Sequence, residues 1–237
     1  MHPLFEELAY CPTPIGPISL RHRLELTLKR EVYEIKLGDE FLMSSAFTVS
    51  EEALARLGLA ALEGAGLDVV VGGLGLGYTA RTVLEDARVA SLAVIEFLQP
   101  VIDWHRSGLL PLGPGLVGDP RCRLVQGDFF ALAGSLAGFD PQQDGRRLDA
   151  ILLDIDHSPE ALLDERSSGF YRVEGLRALG RHLKPGGIFG LWSNDSPDPA
   201  FTARLASVFT EAWAEPVTFH NPLQDRPFTQ TVYLARA

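Results

Sequence analysis

The sequence predicts an α/β fold: a doubly wound, mostly parallel, seven-stranded Rossmann-like sheet with one antiparallel strand, preceded by a small N-terminal β-strand region. Three observations carry this expectation. Beyond residue 66, short apolar runs alternate with helical patterns, the order that builds parallel strands with helices packed between them. The first such run, Val69-Val70-Val71, enters a turn holding Gly72, Gly73, Gly75 and Gly77 before a helical pattern resumes. The last two apolar runs are joined by residues 221–228, too short a stretch for a helix, so that connection reads as a hairpin and reverses one strand.

Taken in order, residues 18–45 alternate apolar and polar side chains around a Gly38-Asp39 turn and predict two or three antiparallel strands. So little chain has no core of its own and should pack on the remainder, giving a small region over 1–49 and a main domain over 50–237. The run beginning "SEEALARLGLAALEG" predicts a helix with Ser50 as its cap, acids in its first turn, and an apolar face of Leu54, Leu57, Ala61 and Leu62. Strands follow over 68–72, 89–96, 123–126, 148–154, 187–192, 216–219 and 229–235. Helices are predicted over 78–85, 98–106, 170–182 and 199–211, and "SGLLPLGPGLVGDP" reads as a surface loop. "HLKPGGIFGLWSND" combines a helix stop, a Pro185-Gly186-Gly187 turn and an apolar strand, with Asn194 or Asp195 at its end as a candidate cleft residue.

Composition narrows the function classes. With 31 acidic and 21 basic residues the net charge is −10, which opposes a phosphate backbone and favours a small cationic substrate over nucleic acid. Arg21, Arg23, Lys29 and Arg30 alternate with apolar positions, as a solvated strand face does, and the tryptophans lack the interleaved basic residues of a base-stacking platform. No apolar run approaches the roughly 20 residues of a bilayer span, and no basic segment followed by an apolar one opens the chain, so a cytoplasmic protein without membrane partners is expected. Cys11 and Cys122 have neither metal-ligand spacing nor a disulfide framework, and no metal site is expected.

The candidate site is assembled from strand ends. Glycine adopts positive φ and lets a ligand approach the backbone, and the following helix directs free N–H groups into the same space. The same turn also serves as plain structure in proteins that bind nothing there. Glu96 closes the second strand 19 residues after Gly77, where an acid accepts hydrogen bonds from ribose hydroxyls or simply ends a strand in solvent. Asp128 closes the third, in "VQGDFF", positioned for an exocyclic adenine amine, with Phe129 or Phe130 either covering a ring face or filling the core. All three fall on the carboxyl edge of the sheet, where open α/β sheets bind ligands.

These segments resemble a known family. "GGLGLGYTA", "VIEF", "GDFF" and "LDAILLDID" look like the successive motifs of class I S-adenosylmethionine-dependent transferases, and the N-terminal strands with "GDEFLMSS" are most similar to the spermidine synthase branch. The resemblance implies S-adenosylmethionine or its decarboxylated form as the bound nucleoside, with Gly72 to Gly77 along its tail and ribose, Glu96 on the ribose hydroxyls and Asp128 on the adenine. It also implies an N-terminal β-domain and a homodimer. NAD fits the glycines but fits Asp128 and the later "LLDID" less well.

The fourth strand then carries the chemistry. Asp154 ends it, with Asp156 and His157 in the loop. A carboxylate there orients an attacking amine or accepts its proton, and His157 is a candidate base, while Asp156 and His157 have turn-capping as their alternative role. In the resembling family the acids stand in an Asp-Ser-x-Asp-Pro stretch. Here Asp154-Ile155-Asp156-His157-Ser158-Pro159 displaces the second acid by one residue, and "LMSSAFTVSEE" lacks the family's glycine, glutamine and tyrosine–histidine pair. The cofactor half therefore maps onto this chain and the polyamine half maps poorly. Methyl transfer to a small nucleophile is the leading reading from sequence. Aminopropyl transfer from decarboxylated S-adenosylmethionine to a diamine, and a catalytically silent scaffold, are its alternatives.

Overall fold

A computed structural model describes residues 4–140 and 142–237. The chain opens with four antiparallel strands, β1 (Phe5–Cys11), β2 (Ile18–Glu25), β3 (Arg30–Leu37) and β4 (Glu40–Ser44), hydrogen-bonded in that order. β1 lies ahead of the predicted segment and makes the sheet one strand larger than expected. As expected, the sheet has no core of its own: Ile18, Leu20, Ile35 and Leu37 are buried together with Leu54, Leu74 and Leu76 of the main domain.

The main domain follows as α1 (Val49–Ala60), β5 (Leu67–Gly72), α2 (Tyr78–Glu85), β6 (Val89–Glu96), α3 (Gln99–Arg106), α4 (Gly113–Gly118), β7 (Cys122–Gln126), α5 (Phe129–Gly134), β8 (Leu148–Leu153), a 3₁₀ turn at Glu165–Gly169, α6 (Val173–Gly180), β9 (Leu183–Ser193), α7 (Pro199–Ala206), β10 (Glu211–Asn221) and β11 (Arg226–Arg236). The seven-stranded sheet has the order β10-β11-β9-β8-β5-β6-β7. β11 pairs antiparallel with both β9 and β10, so it is the one reversed strand, and the hairpin is the 221–226 turn. Val70, Ile95, Ile151 and Phe189 are buried on one face of this sheet with Phe129 and Leu176, while Val71, Val94, Leu152 and Ile188 are buried on the other with Leu54 and Ile102. Burial on both faces explains why these strands read as continuous apolar runs.

Several local expectations change. Ser50 is not the cap of α1: Thr48 holds that position, and Ser50 sits inside the helix, buried. The helix starts two residues earlier than a Ser50 cap implies, which turns Ser50 towards the core. The stretch taken as a loop contains α4, anchored by buried Leu110 and Leu116; its glycines and proline hid the two apolar anchors. Gly113 has no room for a Cβ because it packs against the backbone of His105. The helix predicted to reach residue 211 stops at Ala206, and β10 takes eleven residues where four were expected. Its half-buried, alternating face gives a weak apolar signal, whereas cross-strand pairing with β11 along its whole length stabilises it.

Candidate active site

Parallel pairing brings the predicted residues together. Gly72 at the end of β5 is opposite Ile95 of β6 on one side and Leu153 of β8 on the other. The backbone locks the three strand ends: Gly73 donates to the Ile95 carbonyl at 2.9 Å and Asp154 donates to the Gly72 carbonyl at 2.8 Å. β6 and β7 are joined in the same way, Gly127 donating to the Glu96 carbonyl at 2.9 Å. A cavity of about 510 Å³ opens above these ends, within the range of small-molecule sites. Gly73, Gly75, Glu96, Asp128, Phe129, Asp154, Asp156 and His157 all line it.

The glycine turn is conformationally demanding. Gly73, Gly75 and Gly77 have φ of 93°, 46° and 93°, a region where a Cβ is strained. Space is also absent: a Cβ on Gly73 would overlap the Asp154 carbonyl oxygen, and one on Gly75 would overlap the Met43 sulfur. Gly72 and Gly77 lie outside the cavity lining, and a Cβ there would come within 2.5 Å of Phe129 and 2.7 Å of Leu116 respectively. Their small size serves packing beneath the turn. From below, the buried His105 holds the Gly75 carbonyl through Nε2 at 2.8 Å, and burial lowers the imidazole pKa, keeping the ring neutral.

Glu96 is buried rather than open to an empty cleft. Its Oε2 accepts from the Leu74 amide at 3.0 Å and its Oε1 from the Leu98 amide at 2.8 Å. Burial raises its pKa, and these amides offset only part of that rise. Each oxygen retains a second lone pair, so the carboxylate braces the glycine turn and still has acceptor capacity. Asp128 is exposed and caps α5, its Oδ1 accepting from Phe130 at 2.9 Å and Ala131 at 3.1 Å. Phe129 is only 2% exposed and packs against Phe139 and Phe170, so Phe130 is the more accessible ring of the pair.

The three catalytic candidates have different surroundings. Asp154 accepts from the Thr79 hydroxyl at 2.6 Å, and burial raises its pKa against that hydrogen bond. Asp156 is 2% exposed and accepts from Tyr171 Oη at 2.6 Å, the Leu163 amide at 2.8 Å and Ser167 Oγ at 3.3 Å. Those bonds tie down the segment whose Leu163, Asp164, Arg166 and Phe170 form one wall of the cavity. His157 is half-buried, its Nε2 3.1 Å from Glu40 of β4.

Sequence reasoning missed Glu51. Read from sequence only as one of the acids in the first turn of its helix, it is 8% exposed and lines the cavity with Asp154. Burial, reinforced by the Asp154 charge, holds its carboxyl well above the usual carboxylate range. One signal was available: Glu51 stands three and four residues before Leu54 and Ala55, on the apolar face of its helix. Met43 and Trp192, from β4 and β9, also line the cavity and carried no sequence signal at all.

No family model matches the chain. Among solved structures, it superposes on a spermidine synthase from Thermotoga maritima with a TM-score of 0.72 and 17% identity, over 97% of this chain and 72% of that one. A spermidine synthase in complex with the transition state analogue AdoDATO gives a TM-score of 0.74 at 18% identity, over 97% and 73%. With the four-stranded antiparallel sheet placed before a seven-stranded doubly wound sheet, the chain has the spermidine synthase fold.

Proposed function

We propose that this protein is a transferase of aminopropyl type, taking decarboxylated S-adenosylmethionine as donor and a small amine as acceptor. The observation that carries the reading is the pair of carboxyl groups, Glu51 and Asp154, on the wall of the cavity beside the glycine turn. A donor tail ending in an ammonium suits that wall. Methyl transfer, the leading reading from sequence, brings an α-carboxylate to the same place. Arg81, the basic residue nearest the turn in sequence, is bound to Glu52 at 3.1 Å and to Glu85 at 3.6 Å and lines a separate shallow cleft with Leu84 and Leu112. Among the residues lining the cavity, Arg166 is held by Asp164 at 2.8 Å.

The residues present fit a nucleoside of this kind: a turn without Cβ atoms, a ribose-side carboxylate in Glu96 with free acceptor capacity, and Asp128 at the third strand end. When bound, the sulfonium supplies an electrophilic carbon. Asp154, fixed by Thr79 and by the hydrogen bond its backbone N–H donates to the Gly72 carbonyl, orients the acceptor nitrogen and takes up the proton it sheds. The protein's field, at a net charge of −10, favours entry of cationic amines. A homodimer belongs to the same reading, and sedimentation equilibrium tests it.

Calorimetry with S-adenosylmethionine, decarboxylated S-adenosylmethionine and NAD, followed by product analysis with diamines, phenols and acids, decides the matter. Tighter binding of the decarboxylated donor and consumption of a diamine are expected. A methylated product would return the reading to methyl transfer, and binding of NAD alone would overturn both. No nucleoside binding would leave the silent scaffold.

A further inference from the structure

The hydroxyl of Ser50 has more partners than it has protons. Trp192 Nε1 donates to Ser50 Oγ at 2.8 Å. Gln230 Oε1 lies 2.7 Å from the same oxygen, and Glu51 Oε2 lies 2.8 Å from it. Gln230 is oriented by its own amide, which donates to Asn194 Oδ1 at 2.9 Å, so its oxygen faces Ser50 and must receive the serine proton. Serine has one proton and two lone pairs. Trp192 fills one lone pair, and the remaining contact closes only if the proton on it comes from Glu51. At Asp154 the count runs the other way: the Thr79 hydroxyl lies 2.6 Å from Oδ2 and 3.3 Å from the Glu51 carbonyl oxygen, and the shorter contact gives its one proton to the Asp154 carboxylate.

We propose that Glu51 stands in the resting site as a neutral acid bonded to Ser50, beside anionic Asp154, and releases its proton when a ligand's ammonium group docks against the two carboxyls, which makes Glu51 the residue that selects a cationic donor tail. This rests on the aminopropyl reading of the site. The resting pocket then carries one negative charge at this point and the occupied pocket two, so a ligand is rewarded for bringing positive charge and penalised for bringing a carboxylate. The charged groups facing Glu51 agree with a neutral resting form: Asp154 from the end of β8 and Glu52 from its own helix both oppose its ionisation, and burial opposes it most. Thr79 of α2, which reaches the Glu51 main-chain carbonyl, and Trp192 of β9 and Gln230 of β11, which contact Ser50 beside it, carry no charge. Gln230 and Ser50 are themselves buried, so water does not substitute for the missing proton.

Two measurements test this. Infrared difference spectroscopy of the unliganded protein near neutral pH, wild type minus Glu51→Gln, should show the carbonyl stretch of a protonated carboxyl. Glutamine retains the donor that Ser50 needs, so the variant should fold. Calorimetry with decarboxylated S-adenosylmethionine in two buffers of different ionisation enthalpy should then show proton release on binding to wild type. Glu51→Gln should release none and bind about tenfold to a hundredfold more weakly, the loss expected for one charge-assisted hydrogen bond. Binding to wild type without proton release, or an unchanged affinity in Glu51→Gln, overturns the proposal while leaving aminopropyl transfer standing. Absence of the protonated-carboxyl band overturns it without any ligand. Failure of the decarboxylated donor to bind wild type overturns the aminopropyl reading, and the selection role with it.

Discussion

At the scale of single residues, Asp154 and Glu96 separate chemistry from architecture. Asp154→Asn preserves an acceptor for Thr79 and nearly the same shape, but removes the charge and the proton acceptor, so kcat should fall about a hundredfold or more. Steady-state kinetics with the diamine found to be consumed measures this, and an undiminished kcat removes Asp154 from the chemistry. Glu96→Ala has two consequences because the carboxylate is bonded to the Leu74 and Leu98 amides. Donor affinity should fall about tenfold to a hundredfold. Stability should also fall by about 2 kcal/mol, since two buried amides lose their acceptor. Parallel calorimetry and urea denaturation read the two effects, and a variant of full stability would contradict the bracing role. Asp156 offers a contrast. Its three internal hydrogen bonds make it a positioning residue for the 163–171 wall.

At the scale of elements, the glycine turn, α3 and the loop after β8 form one mechanical unit. His105 of α3 supports the turn from below, Met43 of β4 packs on it, and the Asp154 carbonyl leaves no room at Gly73. Gly73→Ala should therefore cost more than about 2 kcal/mol, combining positive-φ strain with backbone overlap. Denaturant titration checks the cost, and an equally stable variant would mean that the turn relaxes freely. This unit also explains why the sequence motif is rich in glycine independently of any ligand: part of the pattern packs α3, α4 and α5 beneath the sheet edge. The cavity-facing share is Gly73 and Gly75.

Across the whole molecule, the ion-pair network and the candidate site occupy opposite ends of the strands. At the edge away from the cavity, Arg146 bridges Asp140 and Asp68, Arg123 reaches Asp140, and Lys184 joins Asp68 to Asp149. Burial would raise the Asp140 pKa, but Arg146, the Gln142 amide and Arg123 outweigh it and hold the carboxyl at about 2. A depressed pKa contributes stability above the unfolded value and loses it as pH falls through the folded value. Wild type should thus lose roughly 1 to 2 kcal/mol relative to Asp140→Asn between about pH 4 and pH 2. Melting temperatures across that window measure the difference, and parallel curves for the two proteins would show that the network contributes nothing there. No helix among the described residues is long and apolar enough to cross a membrane.

The sequence alone determined the doubly wound sheet, the reversed β11 and the convergence of Gly73, Gly75, Glu96, Asp128 and Asp154 on one edge. Each is encoded locally: apolar runs of strand length, a turn that only glycine can make, and acids directly after strands whose parallel direction is fixed by the helices between them. Even α1 was legible as a helix. What tertiary structure decided is which polar side chains face inward and in what protonation state. Glu51 reads as an ordinary first-turn acid until β8, β9 and β11 close around it, and Asp156 reads as a loop residue until Tyr171 and Ser167 return to bind it. Phe129 and Phe130 are adjacent in sequence and both pack on Phe170, but only the first also packs on Phe139 and is buried in the core. Burial and hydrogen-bond partners arise from residues far apart in the chain, so the electrostatics of this pocket are a property of the fold and are absent from any single segment of it.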